Sequence, residues 1–347
     1  MSKSSSSQVG PPLGPLRFQS LLKRAIWGGR RLATVLGKPL GPGDDYAEAW
    51  EISDHGPDQS IVAEGPRRGM TLAELMASHN ADLLGKHAGL ARFPLLVKWI
   101  DAHDRLSVQV HPNDAQAAAL APGESGKTEA WLVLDAEPGS RIYAGLKPGV
   151  TRAALQQAIG DNRVTDCLHS FDAAPGDCVF IPAGTVHALG AGLLLYEVQQ
   201  TSDVTFRLDD WDRTDREGNP RPLHVAQSLA VIDWTCGPVE PRRSDSRAGP
   251  GRGRETLVEC AYFVLERYNG SDSLRLGGDR RFHIVTLIGG GAELRLIESP
   301  SDTAGGGGID AAAAWKLSRG DTLLLPACLP PASIECTNAT LLDCYLP

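Results

Sequence analysis

No apolar run in this 347-residue chain is long enough to span a membrane, and no block of like charge occurs anywhere along it. The first absence argues against a membrane partner. The second, with a net charge of −8, argues against nucleic acid but leaves room for a local basic pocket that takes a small anion. The seven cysteines never stand at CxxC or CxxxC spacing. That disfavours a thiolate zinc site and predicts reduced, mostly buried thiols in a cytoplasmic protein. The opening stretch MSKSSSSQVGPPLGP lacks the apolar core of a signal peptide, and its Ser, Pro and Gly content predicts a disordered tail over residues 1–15.

Helical patterning is scarce too. TLAELMASHNADLLG opens with Thr71 and carries Glu74 three residues on, a capping box. TRAALQQAIG from Thr151 and LHVAQSLAVI from Leu223 are the other clear helices. Elsewhere short apolar runs are broken by Gly, Pro, Asn and Asp, the pattern of an all-β protein built of sandwiches. The length predicts two domains. PVEPRRSDSRAGPGRGR (238–254) reads as the linker between a domain over 16–237 and another over 255–347, and DTAGGGG (302–308) as a flexible hairpin loop in the second. PGDCVFIPAGTVHAL (175–189) and RGDTLLLPACLPPAS (319–333) share Gly-Asp, four residues, then Pro-Ala. This echo predicts two copies of one jelly-roll unit. His187 of the first copy corresponds to Pro331 of the second, which has no ligand atom, so the second is expected to be metal-free.

Within LSVQVHP (106–112), Leu106, Val108 and Val110 alternate with Ser107, Gln109 and His111. In a strand the two sets face opposite ways, so Gln109 and His111 share a polar face. GKTEAWLVL puts Lys127 and Glu129 on one face, and His187 follows a turn in IPAGTVHAL. Singly, each has a bland explanation as a solvated or hydrogen-bonded group. Together, two imidazoles, a carboxylate and an amide oxygen make an N/O shell suited to zinc. In LLLYEVQQTSDVTFRLDDWDR, Glu197 and Arg207 fall on polar faces ten residues apart. On adjacent strands they would form a cross-strand ion pair worth about 0.2–1 kcal/mol, or a proton-transfer carboxylate beside an anion-binding guanidinium. Lys98, in FPLLVKWID, is a cation among apolar residues, which calls for a partner or a site.

These stretches, with AEAWEISDH (47–55) and in this order, resemble the zinc-dependent type I mannose-6-phosphate isomerases of the cupin superfamily, in their short bacterial form. The resemblance covers about residues 20–235 well and the C-terminal domain weakly. It implies one zinc ion per chain on Gln109, His111, Glu129 and His187, and active-site roles for Lys127, Arg207, Glu197 and Lys98. The implied substrate is a small sugar phosphate, interconverted between mannose 6-phosphate and fructose 6-phosphate through a cis-enediol or enediolate. Glu197 and Lys98 are the candidate bases, the lysine only if its pKa is depressed. The chain is expected to be a monomer or homodimer.

Two other readings remain open on the residues. His111, Glu129 and His187 could be a 2-His-1-carboxylate iron site of another cupin metalloenzyme, an oxygenase or a different sugar isomerase. Alternatively, the same fold could serve as a non-catalytic sugar-phosphate sensor. Gln109 and the cation set weigh against the first, and the complete ligand set with Lys127 and Arg207 against the second.

Overall fold

The computed structural model describes residues 13–215, 217–243, 253–297 and 313–347. The expected tail through residue 12, the linker over 244–252 and the DTAGGGG loop lie outside the described residues. The end of the expected tail does not behave as tail, because Leu13 is fully buried.

The fold is all-β, and every strand pairing among the described residues is antiparallel. A six-stranded sheet runs in the order Cys178–Ile181, Glu129–Ala136, Leu193–Gln200, Leu95–Ala102, Tyr46–Ile52, Leu21–Gly29. A five-stranded sheet faces it, in the order Leu168–Asp172, Arg141–Leu146, His187–Leu189, Val108–Val110, Phe206–Asp209. A third sheet, centred on the long strands His283–Leu296 and Ala332–Tyr345, forms the C-terminal unit. Among the described residues no helix is long and apolar enough to cross a membrane.

The three expected helices are present at Leu72–Leu84, Arg152–Gly160 and Val225–Val231, the first with its Thr71–Glu74 capping box closed in both directions. A fourth, Asp114–Leu120, carries its own box from Asn113 and Gln116 and was missed because its apolar content is nearly all alanine. The repeated turn is also real: Gly176 and Gly320 both adopt left-handed backbone, at φ +91° and +92°, which glycine enters without steric cost.

Layering explains the apolar strands. Leu95, Val97 and Trp99, with Leu194, Tyr196 and Val198, turn outward into a core shared with Phe282, Ile284 and Leu342 of the C-terminal unit. Phe93 and Phe282 meet ring to ring at 4.8 Å. The intervening Ile100, Leu193 and Leu195 turn inward with Trp131 and Val133. Both faces of the six-stranded sheet are therefore covered, and Leu95–Ala102 is buried at every position. On the facing sheet, Val108 and Val110 pack outward with Leu155 and Leu229, residues of the helices Arg152–Gly160 and Val225–Val231. The polar face of that strand is left looking into the sandwich.

One expectation fails. Glu197 and Arg207 are not on paired strands: Leu193–Gln200 lies in one sheet and Phe206–Asp209 in the other. The connection is a crossover, not a hairpin. No residue between them has the positive φ of a tight hairpin turn, and buried side chains take up its backbone groups instead. Gln199 Nε2 donates to the Ser202 carbonyl at 2.6 Å, and Thr201 Oγ1 to that of Phe93 at 2.7 Å.

Candidate active site

Strand pairing assembles the cluster. His187 and Arg207 both lie opposite Gln109, one on each side, and His111 follows the end of that strand, just before Pro112. Glu129, the first residue of its strand, approaches from the opposing sheet. Its Oε2 is 3.5 Å from His111 Nε2 and its Oε1 is 3.3 Å from His187 Nε2. Gln109 turns its amide nitrogen toward the cluster, Nε2 donating to His187 Nε2 at 3.2 Å, while its Oε1 accepts from Ser107 Oγ at 3.3 Å, so ligation through the oxygen requires the amide turned over.

The segment before Glu129 is held amide by amide. Gly126 N–H donates to Asp114 Oδ1 at 2.8 Å, Lys127 N–H to the Pro112 carbonyl at 3.0 Å, and Thr128 N–H to Gln200 Oε1 at 3.0 Å. A Cβ at Gly126 would stand 2.6 Å from Asp114 N, so only glycine permits this approach. Asp114 also accepts from the Tyr262 hydroxyl of the C-terminal unit at 2.9 Å.

Both imidazoles have a defined tautomer. His111 Nδ1 donates to the Val204 carbonyl at 2.8 Å and His187 Nδ1 to the Thr185 carbonyl at 2.9 Å. A carbonyl only accepts, so each Nε2 carries a lone pair. Burial, with Lys127 nearby, keeps His111 well below its ordinary pKa, and burial lowers His187 to about 4. Two neutral imidazoles thus aim lone pairs at a carboxylate, and His111 Nε2 has no hydrogen-bond partner among the described residues. Such a cluster of acceptors is costly to bury unless a cation sits among them. A metal ion fits it, and the Nδ1 contacts are the kind that orient metal-bound imidazoles.

Beside the cluster is a cavity of about 290 Å³ whose walls include Gln109, Lys98, Lys127, Glu197 and Arg207. All eight residues singled out in the sequence are therefore gathered here. Glu197 and Arg207 line it from opposite sheets.

Lys98 differs from expectation in charge. Burial disfavours its cation, but Glu197 Oε1 at 3.2 Å and Glu48 Oε2 at 3.4 Å outweigh burial and push its pKa above the ordinary lysine value. The lysine is held protonated, the opposite of what a base requires. The two carboxylates diverge. Burial raises Glu197 above its ordinary value against the pull of Lys98. For Glu48, Lys98 and the Trp50 indole N–H overcome burial and hold it below. Lys127 Nζ stands 3.5 Å from Glu129 Oε2.

Arg207 donates from Nη1 to the Pro222 carbonyl at 2.9 Å, while its buried Nε has no partner among the described residues. Burial and the neighbouring Arg221 depress its pKa. Asp210 fixes Arg221, accepting from its Nε at 2.7 Å, and binds Arg213.

Sequence reading missed Glu48, Trp50, Trp131 and Arg221. A signal for the first two was available: Glu48 and Trp50 alternate with Ala47 and Ala49, the same period of two that exposed Gln109 and His111.

The model for the phosphomannose isomerase type I catalytic domain matches residues 16–129. Mannose-6-phosphate isomerase ManA of Bacillus subtilis (strain 168) is 37% identical over 321 residues, covering 92% of this chain and 96% of its own. The mannose-6-phosphate isomerase of Streptococcus mutans is 35% identical over 314 residues, covering 90% and 92%. The crystal structure of the Bacillus subtilis mannose 6-phosphate isomerase superposes with a TM-score of 0.82 at 30% identity, covering 96% of this chain and all of that one. Similarity of this extent, along nearly the whole of both chains, makes this chain a member of the type I phosphomannose isomerase family.

Proposed function

We propose that this cavity interconverts mannose 6-phosphate and fructose 6-phosphate, with one zinc ion per chain on Gln109, His111, Glu129 and His187. The observation that carries the reading is the convergence of an amide, two neutral imidazoles and a carboxylate beside a cavity edged by Lys98, Lys127 and Arg207. The isomerase activity is that of the relatives. The donor set is nitrogen and oxygen without thiolate, which suits zinc. When bound, zinc supplies Lewis acidity toward the oxygens on C1 and C2 of the sugar.

The protein's own groups do the rest. Glu197 takes the C2 proton of the open-chain aldose, and the C–H electrons form the C1=C2 bond of an enediolate with its charge on O1. The proton returns to C1 while O2 passes its own proton to O1, leaving the ketose. Burial raises the proton affinity of Glu197, which brings it closer to the range useful for this exchange. Lys98, held cationic, balances its charge. Lys127, at the metal end, faces the developing oxyanion. Arg207 and Arg221 supply fixed positive charge for the phosphate dianion.

The test is turnover of mannose 6-phosphate in a coupled assay after chelation and again after zinc is restored. Activity should vanish and return. His187→Ala should lose metal while the chain stays folded. A full metal equivalent in that variant overturns the ligand assignment, and iron with no isomerase activity overturns the whole reading.

A further inference from the structure

We infer that Trp131 is a positioning residue for Glu197: its indole N–H holds Oε2, so that Oε1 is the oxygen that exchanges the carbon-bound proton. The inference rests on the reading of Glu197 as the base. Trp131 is 1% exposed and lies directly across the ladder from Glu197, which is flanked on its other side by Lys98. Indole Nε1 donates to Glu197 Oε2 at 2.8 Å. The same ring meets His187 edge to face at 5.3 Å and 73°, so its plane is set from a second direction.

A buried indole N–H needs an acceptor, and Glu197 is the acceptor this one has. The contact in turn constrains the carboxyl, whose terminal torsion is otherwise broad and nearly two-fold. With Oε2 engaged, Oε1 is left 3.2 Å from Lys98 Nζ, with no hydrogen bond of its own among the described residues. The neighbouring carboxylate is built alike: Trp50 Nε1 donates to Glu48 Oε2 at 2.5 Å, and Lys98 lies 3.4 Å from that oxygen. Two indole–carboxylate pairs thus bracket one ammonium. Lys127, Asp203 and Arg207 line the same cavity, and the Glu129 carboxylate is close enough to raise the proton affinity of Glu197 further.

Fixing one oxygen matters for this reaction because the proton leaves one carbon and returns to its neighbour. A carboxyl free to rotate carries that proton off the transfer line and opens it to exchange with water.

The experiment is turnover of mannose 6-phosphate by zinc-loaded full-length Trp131→Phe in D2O, reading kcat, KM and the deuterium content of the first-formed product. Phenylalanine keeps a ring against His187 and removes the N–H. We expect kcat to fall about tenfold or more, KM to stay within about twofold, and deuterium incorporation to rise about twofold or more. A wild-type kcat or an unchanged deuterium content overturns the inference. So does an equal rise in deuterium in Trp50→Phe, because loosening any part of the wall would then suffice. If W131F does not fold, benzothienylalanine at position 131, an indole isostere without the N–H, takes its place under the same criteria. Glu197→Gln separates the layers. Wild-type turnover in E197Q overturns the base reading and this inference with it, whereas an inactive E197Q beside an unaffected W131F overturns the positioning role alone.

Discussion

Replacing Lys98 with methionine keeps the length of the side chain and removes its charge from between Glu197 and Glu48, 3.2 and 3.4 Å away. At an effective dielectric of about 20, each contact is worth about 5 kcal/mol of Coulomb attraction. Most of that offsets the cost of burying three charges, so the net effect of removing the cation is about 3–5 kcal/mol of lost stability. The loss has a ceiling that depends on pH, because a stranded carboxylate can take up a proton. From the ordinary glutamate value of 4.5, each of the two protons costs about 3 kcal/mol at pH 7 and under about 1 kcal/mol at pH 5. The sign is fixed. Lys98 is the strongest influence lowering the pKa of each carboxylate, so both folded-state values rise when it is removed, the folded variant binds more protons than folded wild type, and the deficit grows as pH rises. Urea unfolding of metal-stripped wild type and K98M at pH 5, 6, 7 and 8 measures this directly. The deficit should be about 3–5 kcal/mol at pH 7 and shrink by roughly half or more at pH 5. A variant within about 1 kcal/mol of wild type at every pH would refute the argument that the lysine is the buried counter-ion of both carboxylates.

Three further expectations are open to direct measurement. Arg207→Ala should lower kcat/KM more than tenfold, over about 1.4 kcal/mol of transition-state stabilisation. The melting temperature should shift little, since the guanidinium's one hydrogen bond among the described residues goes to the Pro222 carbonyl; normal kinetics with a large stability loss would make Arg207 a structural residue. His283→Ala should change neither metal content nor kcat, because His283 is clamped by Asp343 at 2.9 Å and Asp279 at 3.3 Å in the C-terminal sheet. Burial disfavours the imidazolium, but the two carboxylates outweigh burial and raise its pKa. Its stabilisation is therefore complete below the unfolded value near 6.5 and is lost as pH rises through the folded one, so the H283A deficit should narrow toward alkaline pH in thermal melts. Removing residues 245–347 should leave every proposed ligand in the chain yet expose Leu95, Val97, Trp99 and Tyr196, whose partners include Phe282, Ile284 and Leu342. Light scattering should then show aggregation, and a monodisperse, folded fragment would mean the first sandwich covers that face itself.

The period of two in the strands settled much by itself: which of residues 106–111 share a face, that Lys127 and Glu129 point the same way, and that Asp203, Thr205 and Arg207 do. Side-chain alternation is local geometry, so no knowledge of neighbours is needed. Capping at Thr71 and the paired glycine turns were legible for the same reason. Which strand lies beside which is another matter. Glu197 and Arg207 are near in sequence, yet a five-residue crossover sends their strands to opposite sheets, where they face each other across the cavity. Strand order also decided the state of Lys98. Its position in the chain permits either a depressed or a raised pKa. Glu48 and Glu197 arrive on the strands to either side and hold the proton on. Burial and charge at that lysine are set by residues remote along the chain, and only tertiary packing brings them within 3.4 Å.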